Sequence, residues 1–436
     1  MSYLDEALYV RKAARRSNKF FKECLPMIAS ENILSPLCQE MLITDFHGRY
    51  AEGTPGKRYY QGCKYFDEVE SKAIELAKKL FKCNYANVQS TSGTVSNIAA
   101  FKALAQPGDT IAALSTDQGS HISHAKMGAA GLRGLNIINY PFDAKNMNID
   151  VDGAVKTIRE AKPKVALFGQ SVYLFPTPLK EVSAAAHEVG AHVMYDGAHV
   201  LGLIGGGKFQ DPLHEGVDVM TGSTHKTFPG PQGGIMLSDH KGDTEEDAKF
   251  LRRLESACFP GVTSSYHLHH VAAKAIALAE HLEFGAAYAD QIIRNAQALG
   301  QAMHEQGFNV LCEHLGFTRS HQIVVKIGEI GEGKGKWAAE ALEKANIIVN
   351  MNMVPGDSKP MFPSGLRIGA QELTRCGMKE AQMKEVARLF KMALLDGRKP
   401  AEVKKETKAL RACFNRIHYC FGEGADPYKY HRIAKF

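Results

Sequence analysis

Three short segments hold residues whose types and spacing suit one kind of chemistry. In GSTHKTFPGPQGG (residues 222–234), Lys226 sits among hydroxylated neighbours and ahead of a Pro/Gly-rich turn. A lysine held by stiff backbone suits a covalent imine with an aldehyde. Taken alone, it reads better as one more solvated surface amine. In MYDGAHVLG (194–202) an apolar strand ends in Asp196 and turns through Gly197, and strand ends of this kind are where ligands sit in open α/β sheets. Asp196 there serves equally well as a cap for the next turn or as a carboxylate that keeps a pyridine ring nitrogen protonated, making the ring an electron sink. In NVQSTSGTVSN (87–97) a strand runs into a Ser/Thr/Gly turn that opens a helix. Free N–H groups at a helix start suit a phosphate; by itself that turn is read more simply as an ordinary N-cap.

Such segments need a scaffold that gathers strand ends. Phe66, Val69, Ala73, Ile74, Ala77 and Leu80 recur at helical spacing, which predicts an amphipathic helix over 66–82. Short apolar runs at 86–89, 110–114, 137–140, 165–169, 192–195 and 233–237 then alternate with helical stretches such as 151–161 and 179–189. That alternation predicts βαβ crossovers and an α/β fold with a mostly parallel sheet covered on both faces. Residues 267–306 are nearly all helix-forming and suit a bridge between two domains. Beyond it, strands are expected at 308–311, 322–327 and 347–350, with helices at 336–345 and 379–394. The chain therefore divides into an N-terminal arm (1–30), a large domain (31–285) and a smaller C-terminal α/β domain (286–436).

Composition narrows the function classes. The 436 residues include 53 Lys+Arg and 47 Asp+Glu, a formal charge of +6, with 44% hydrophobic and 23% charged residues. These are globular values that exclude disorder and fibrous repeats. The basic residues do not form the dense blocks of a nucleic-acid patch. The nine cysteines are scattered without a CxxC pair, as in a reduced cytoplasmic protein with neither zinc nor redox chemistry. No apolar stretch approaches the ~20 residues of a membrane span. His267, His269 and His270 cluster, but without a nearby Cys or acidic partner a packed helix start explains them better than a metal does.

Taken in order, a phosphate turn, His121 in GSHISH as a ring-stacking candidate, the strand-end Asp196 and Lys226 follow the pattern of fold-type I, aspartate aminotransferase-like pyridoxal phosphate enzymes. IASEN (28–32), RYAEGTPGKRYYQGCKYFDEVE (49–70), THKT (224–227) and SGLRIG (364–369) closely resemble serine hydroxymethyltransferase, with the likeness running over nearly the whole chain. The resemblance implies reversible hydroxymethyl transfer between serine and glycine with a reduced pterin carrier, of tetrahydrofolate or tetrahydromethanopterin type. It implies that Lys226 forms the imine with the cofactor, that Asp196 faces the pyridine nitrogen and that His121 stacks on the ring. Ser171 and His199 match groups near the phenolic oxygen. Ser92, Gly93 and Thr94 match the phosphate turn, and Thr224 and His225 accompany Lys226. Arg367 and Ser30 match the residues holding the amino-acid carboxylate, a role that suits a bidentate guanidinium. Tyr50, Glu52 and Tyr60 lie in the block that a neighbouring subunit contributes, so a homodimer with shared sites is implied. Glu52 there handles a proton near the substrate hydroxyl.

Several positions depart from the family pattern. Ser264 and Ser265 stand where glycines usually let a partner's backbone approach the phosphate; Gln232 replaces an arginine, Thr54 an aromatic residue and Met351 a lysine. The FPG, GPQGG and HLHH features resemble the archaeal branch, which uses a modified pterin. Thr54, Met351 and the serine loop leave a threonine transaldolase as a rival, against which the retained EGTPGKRYY block favours hydroxymethyl transfer; a rival of another class is a catalytically silent binding relative. The retention of both Lys226 and Asp196 counts against the second.

Overall fold

The computed structural model describes residues 2–434. Its centre is a seven-stranded sheet of β1 (Tyr85–Asn87), β2 (Thr110–Ala113), β3 (Asn136–Asn139), β4 (Val165–Phe168), β5 (His192–Asp196), β6 (Val219–Ser223) and β7 (Gly234–Ser238). The order is β1-β7-β6-β5-β4-β2-β3, and only β7 runs antiparallel to its neighbours. All residues of β4 are buried, with Val165 and Leu167 on one face and Ala166 and Phe168 on the other. A strand covered on both faces must be apolar throughout, which is why VALF reads as a continuous run rather than an alternation.

Helices cover the two faces. On one lie α3 (Gly93–Leu104) and α6 (Glu245–Cys258), which pack on each other. The other carries α2 (Lys64–Phe81), α4 (Val151–Ala161), α5 (Leu179–Glu188) and the first part of α7 (Leu268–Glu305). At 38 residues α7 is roughly 57 Å long. Its far end, with Leu299 and Met303, enters a second core under a four-stranded antiparallel sheet. That sheet contains β8 (Asn309–Val310), β9 (Gln322–Lys326), β10 (Asn350–Asn352) and β11 (Gly365–Gly369), in the order β8-β9-β11-β10. Leu25–Pro26 pairs in parallel with Ile347–Ile348, so the segment after α1 (Tyr3–Lys22) is fastened beside this sheet. Among the described residues no helix is long and apolar enough to cross a membrane, all nine cysteines are free, and no group of side chains forms a metal site.

Two strands differ from the expectation. β6, VMTGS, and β11, GLRIG, carry few bulky side chains, yet every residue of each is buried. Their neighbours in the sheet supply the context that short, glycine-containing runs lack. The expected strand at 347–350 is split between the pairing with Leu25–Pro26 and β10.

One buried ionic knot fixes a surface hairpin onto this frame. Gly53–Thr54 pairs with Lys57–Arg58, and Arg58 donates to Glu70 at 2.5 Å, Asp67 at 2.7 Å and the carbonyl of Gly53 at 2.6 Å. Tyr266 donates its hydroxyl to Glu70, and Gln89 reaches both Glu70 (2.8 Å) and Gly53 (3.0 Å). The Arg58 and Glu70 side chains are 4% and 3% exposed. Removing Glu70 leaves the buried Arg58 with Asp67 alone and takes the acceptor from Tyr266 and Gln89, so Glu70→Ala should destabilise the fold by about 3 kcal/mol. Denaturant unfolding checks this; a loss under ~1 kcal/mol would mean that the knot is solvated.

Candidate active site

The C-terminal ends of β4, β5 and β6 and the N-terminus of α3 converge on one cavity of about 330 Å³, within the roughly 300–1,000 Å³ typical of small-molecule sites. Chain geometry explains the convergence: parallel strands end on the same side, and their following loops must meet there. The approach is close enough to require glycine at Gly169, where, at φ +106°, a Cβ would meet the Asp196 carbonyl oxygen at 2.2 Å; a Cβ on Gly93 would come within 2.2 Å of Ser223 Oγ and turn that hydroxyl aside.

Asp196 closes β5, and its carboxylate accepts from Asn97 Nδ2 (2.8 Å), His124 Nε2 (3.0 Å) and the Ala198 N–H (3.0 Å). Burial opposes its charge, but the hydrogen bonds from His124 and Asn97 hold it well below the usual carboxylate range. Ser120 Oγ lies 2.9 Å from His124 Nδ1 and so orients the ring. Lys226 stands in the loop after β6 and is 8% exposed. Its amine has no hydrogen-bond or ion-pair partner among the described residues. Burial, countered by Asp196 and reinforced by Arg367, pushes it down to about 8.

Arg367, from β11, reaches across from the second sheet. Its Nη1 donates to the Ser171 carbonyl at 2.7 Å and its Nε to Asn350 Oδ1 at 3.2 Å. Burial pushes the guanidinium down to about 10, and among the described residues no carboxylate pairs with it. Three imidazoles border these charges. Burial pushes His121 and His225 down to about 4 and His199 well below its ordinary value, the last aided by Lys226 and Arg367. All three rings are therefore neutral near pH 7. Nδ1 of His121 accepts from the Ser123 N–H at 3.2 Å, while Nδ1 of His199 and of His225 is buried without a partner. Ser92 caps α3 by accepting from the Val95 N–H at 3.2 Å, leaving the first N–H groups of the helix facing the cavity.

The arrangement offers two anion sites of different kinds, a helix N-terminus with hydroxyls and an unpaired guanidinium. Between them lie one carboxylate, one amine of depressed basicity and a neutral ring for stacking. A group carrying a phosphate, a basic ring nitrogen and an aldehyde fits this donor set, and a small carboxylate fits Arg367.

The serine hydroxymethyltransferase family profile matches residues 5–390. A relative of that name from Methanocaldococcus jannaschii is 52% identical over 437 residues, covering 99% of this chain and 100% of its own. Another from Methanopyrus kandleri is 51% identical over 99% of both chains, and one from Thermococcus kodakarensis is 51% identical over 92% of this chain and 93% of its own. The chain belongs to the serine hydroxymethyltransferase family.

For this member of the serine hydroxymethyltransferase family, the cavity gathers Ser30, Ser92, Gly93, Thr94, His121, Ser171, Asp196, His199, His225, Lys226 and Arg367 from the residues singled out in the sequence. Thr224 is buried beneath it, its hydroxyl donating to the Pro231 carbonyl at 2.7 Å and so bracing the loop. Tyr50, Glu52, Tyr60, Ser264 and Ser265 do not line it. Tyr50 Oη lies 3.2 Å from Ser264 Oγ, Ser264 donates to Glu52, and the rings of Tyr50 and Tyr60 meet edge to face at 5.0 Å. This second cluster sits on the hairpin side, with both tyrosines exposed. Met351 lies partly exposed on the edge strand β10, and the Gln232 carbonyl takes a 2.6 Å contact from His270. Sequence reading missed Asn97, His124, Gln170 and Ser223. The second histidine of GSHISH, and an asparagine inside a helix that it disfavours, were the signals for the first two.

The depressed basicity of Lys226 is measurable on the apoprotein. An acylating reagent reacts with the neutral amine, so labelling of Lys226 should rise with pH around a midpoint near 8 and level off above it. Peptide mapping at each pH follows it, and a midpoint above about 10, as for a solvated lysine, would contradict the buried environment.

Proposed function

We propose that the chain catalyses the reversible transfer of the serine hydroxymethyl group to a reduced pterin, leaving glycine, with pyridoxal phosphate as its cofactor in a fold-type I frame. The observation that carries this reading is the unpaired, buried amine of Lys226 flanked by Asp196 and Arg367. It is joined by the full-length likeness to relatives named for that activity.

When bound, pyridoxal phosphate supplies an electron sink for the bond cleaved at the amino acid's α-carbon. The rest falls to the chain. Ser92, Gly93 and Thr94 at the start of α3 hold the phosphate through N–H groups and hydroxyls. Asp196 holds a proton at the ring nitrogen, and its own ionisation is secured by Asn97, His124 and the Ala198 N–H. His121, neutral and pinned by Ser123, presents a flat ring for stacking. Lys226 presents an amine that is largely neutral once pH exceeds about 8, the state needed for covalent attachment. The Nη2 end of Arg367 has no partner among the described residues, and with Ser30 it orients the substrate carboxylate.

Proton transfer at the substrate hydroxyl belongs to Glu52, whose loop is held rigid by the Arg58–Glu70 knot. Because Tyr50, Glu52, Tyr60 and the Ser264–Ser265 segment stand outside the chain's own cavity, the reading places them in the site of a second copy. It thus requires a homodimer; sedimentation as a monomer under assay conditions would exclude it. The large and small domains meet within α7 near residue 285, and the active cavity lies between groups from both.

A substrate panel tests the activity. Serine-to-glycine turnover should require a reduced pterin to capture formaldehyde, while allo-threonine cleavage proceeds without one. Glu52→Gln should slow the serine reaction by about 10²-fold or more, the scale of a general acid–base group, with a smaller effect on allo-threonine. Exchange of threonine's acetaldehyde for an added aromatic aldehyde, indifferent to any pterin, would overturn hydroxymethyl transfer in favour of transaldolation.

A further inference from the structure

A second concentration of charge lies outside the catalytic cavity. No residue of α1 is buried, and Lys12, Arg15, Arg16, Lys19 and Lys22 recur along it at spacings that place them on one face. With Lys429 from the C-terminal tail they line a groove of about 510 Å³. Asp426 is the one carboxylate among the lining residues, so six cations face one anion. That excess of five compares with a formal charge of +6 for the entire chain. Like charges at these spacings weaken a helix rather than support it, and among the described residues Lys12, Arg16 and Lys19 make no salt bridge.

The groove is preformed. Lys22 pairs with Asp426 at 2.5 Å, Asn18 Nδ2 donates to the Tyr428 carbonyl at 3.2 Å, and the Tyr428 hydroxyl donates to Glu372 in the body of the protein. The Arg15 guanidinium lies 5.7 Å from the centre of the Tyr430 ring. The tail is therefore held against α1 by contacts that leave most of the cations free.

We propose that this groove binds a chain of linked phosphates, such as that of a nucleoside triphosphate or of inorganic polyphosphate. From Lys12 to Lys22 the basic face extends roughly 15 Å at the α-helical rise, longer than one phosphate group. Arginine forks and lysine point charges both suit phosphate oxygens. Where the source is a nucleotide, Tyr430 offers a ring against which the base stacks.

Calorimetry on the holoenzyme with orthophosphate, inorganic tripolyphosphate and ATP tests the proposal. Tripolyphosphate and ATP should bind at least about tenfold more tightly than orthophosphate, and added salt should weaken them. The triple variant Lys12→Gln, Arg16→Gln, Lys19→Gln should lose about tenfold or more in affinity; glutamine keeps the helix propensity of the residues it replaces. Asp426→Asn, which frees Lys22 and removes the opposing charge, should bind more tightly, a gain that structural damage does not produce. ATP binding above tripolyphosphate identifies a nucleotide as the source, and equal affinities identify the phosphate chain alone. Failure of both to bind, affinities equal to that of orthophosphate, an unchanged triple variant, or binding only of a single-stranded oligonucleotide would each overturn it.

Discussion

The buried carboxylate of Asp196 keeps its charge only because three donors converge on it. Desolvation alone drives a carboxylic acid toward its neutral form, and here Asn97, His124 and the Ala198 N–H reverse that preference. Each donor comes from a different part of the frame: α3, the short turn that ends GSHISH, and the chain just beyond β5. Ser120 then fixes His124, and Thr221 of β6 donates to the other end of the Asn97 amide at 2.6 Å. A single negative charge thus ties together the strand ends that form the cavity floor, and it is the counter-charge for Lys226.

The opposite wall is built from the second sheet. Arg367 sits in the middle of β11, paired with Val324 and Asn350 on its two sides, so its backbone has little freedom. Its side chain crosses to the Ser171 carbonyl beyond β4. One side chain therefore spans the two sheets, and any shift between them changes the distance between the carboxylate grip and Lys226. The segment at Ala29 belongs to the same wall: a Cβ on Gly369 would meet the Ala29 Cα at 2.6 Å, and the His321 ring contacts the Ala29 carbonyl at 3.0 Å.

Much of this was legible in the sequence because the chemistry lies where element types change. Asp196 ends an apolar strand, and the turn at Ser92 to Thr94 separates a strand from a helix, so motif and scaffold reinforce one another; Lys226 was legible from its motif alone. The long apolar runs of β4 and the helical spacing of α2 carried their own periodicity. What escaped was set by tertiary context. VMTGS and GLRIG become strands because flanking strands bury them, not because their side chains favour a pleat. His124 acts on Asp196 only because a short turn after His121 aims it inward. The basic residues of α1 looked dispersed in one dimension, and helical geometry collects them on one face opposite a tail more than four hundred residues away. The hairpin residues Tyr50, Glu52 and Tyr60 were legible as a motif, but their distance from the cavity of their own chain depends on the Arg58–Glu70 knot.

The most direct test of the account is the turnover of serine by Asp196→Asn, a substitution that keeps the shape and most hydrogen-bonding capacity but removes the charge. If that charge is what the cavity is organised around, turnover should fall by about 10²-fold or more, the usual scale for losing a preorganised electrostatic group, while the protein remains folded. Turnover close to that of the unmodified chain would mean that Asp196 serves only to shape the strand end, and the account would be wrong.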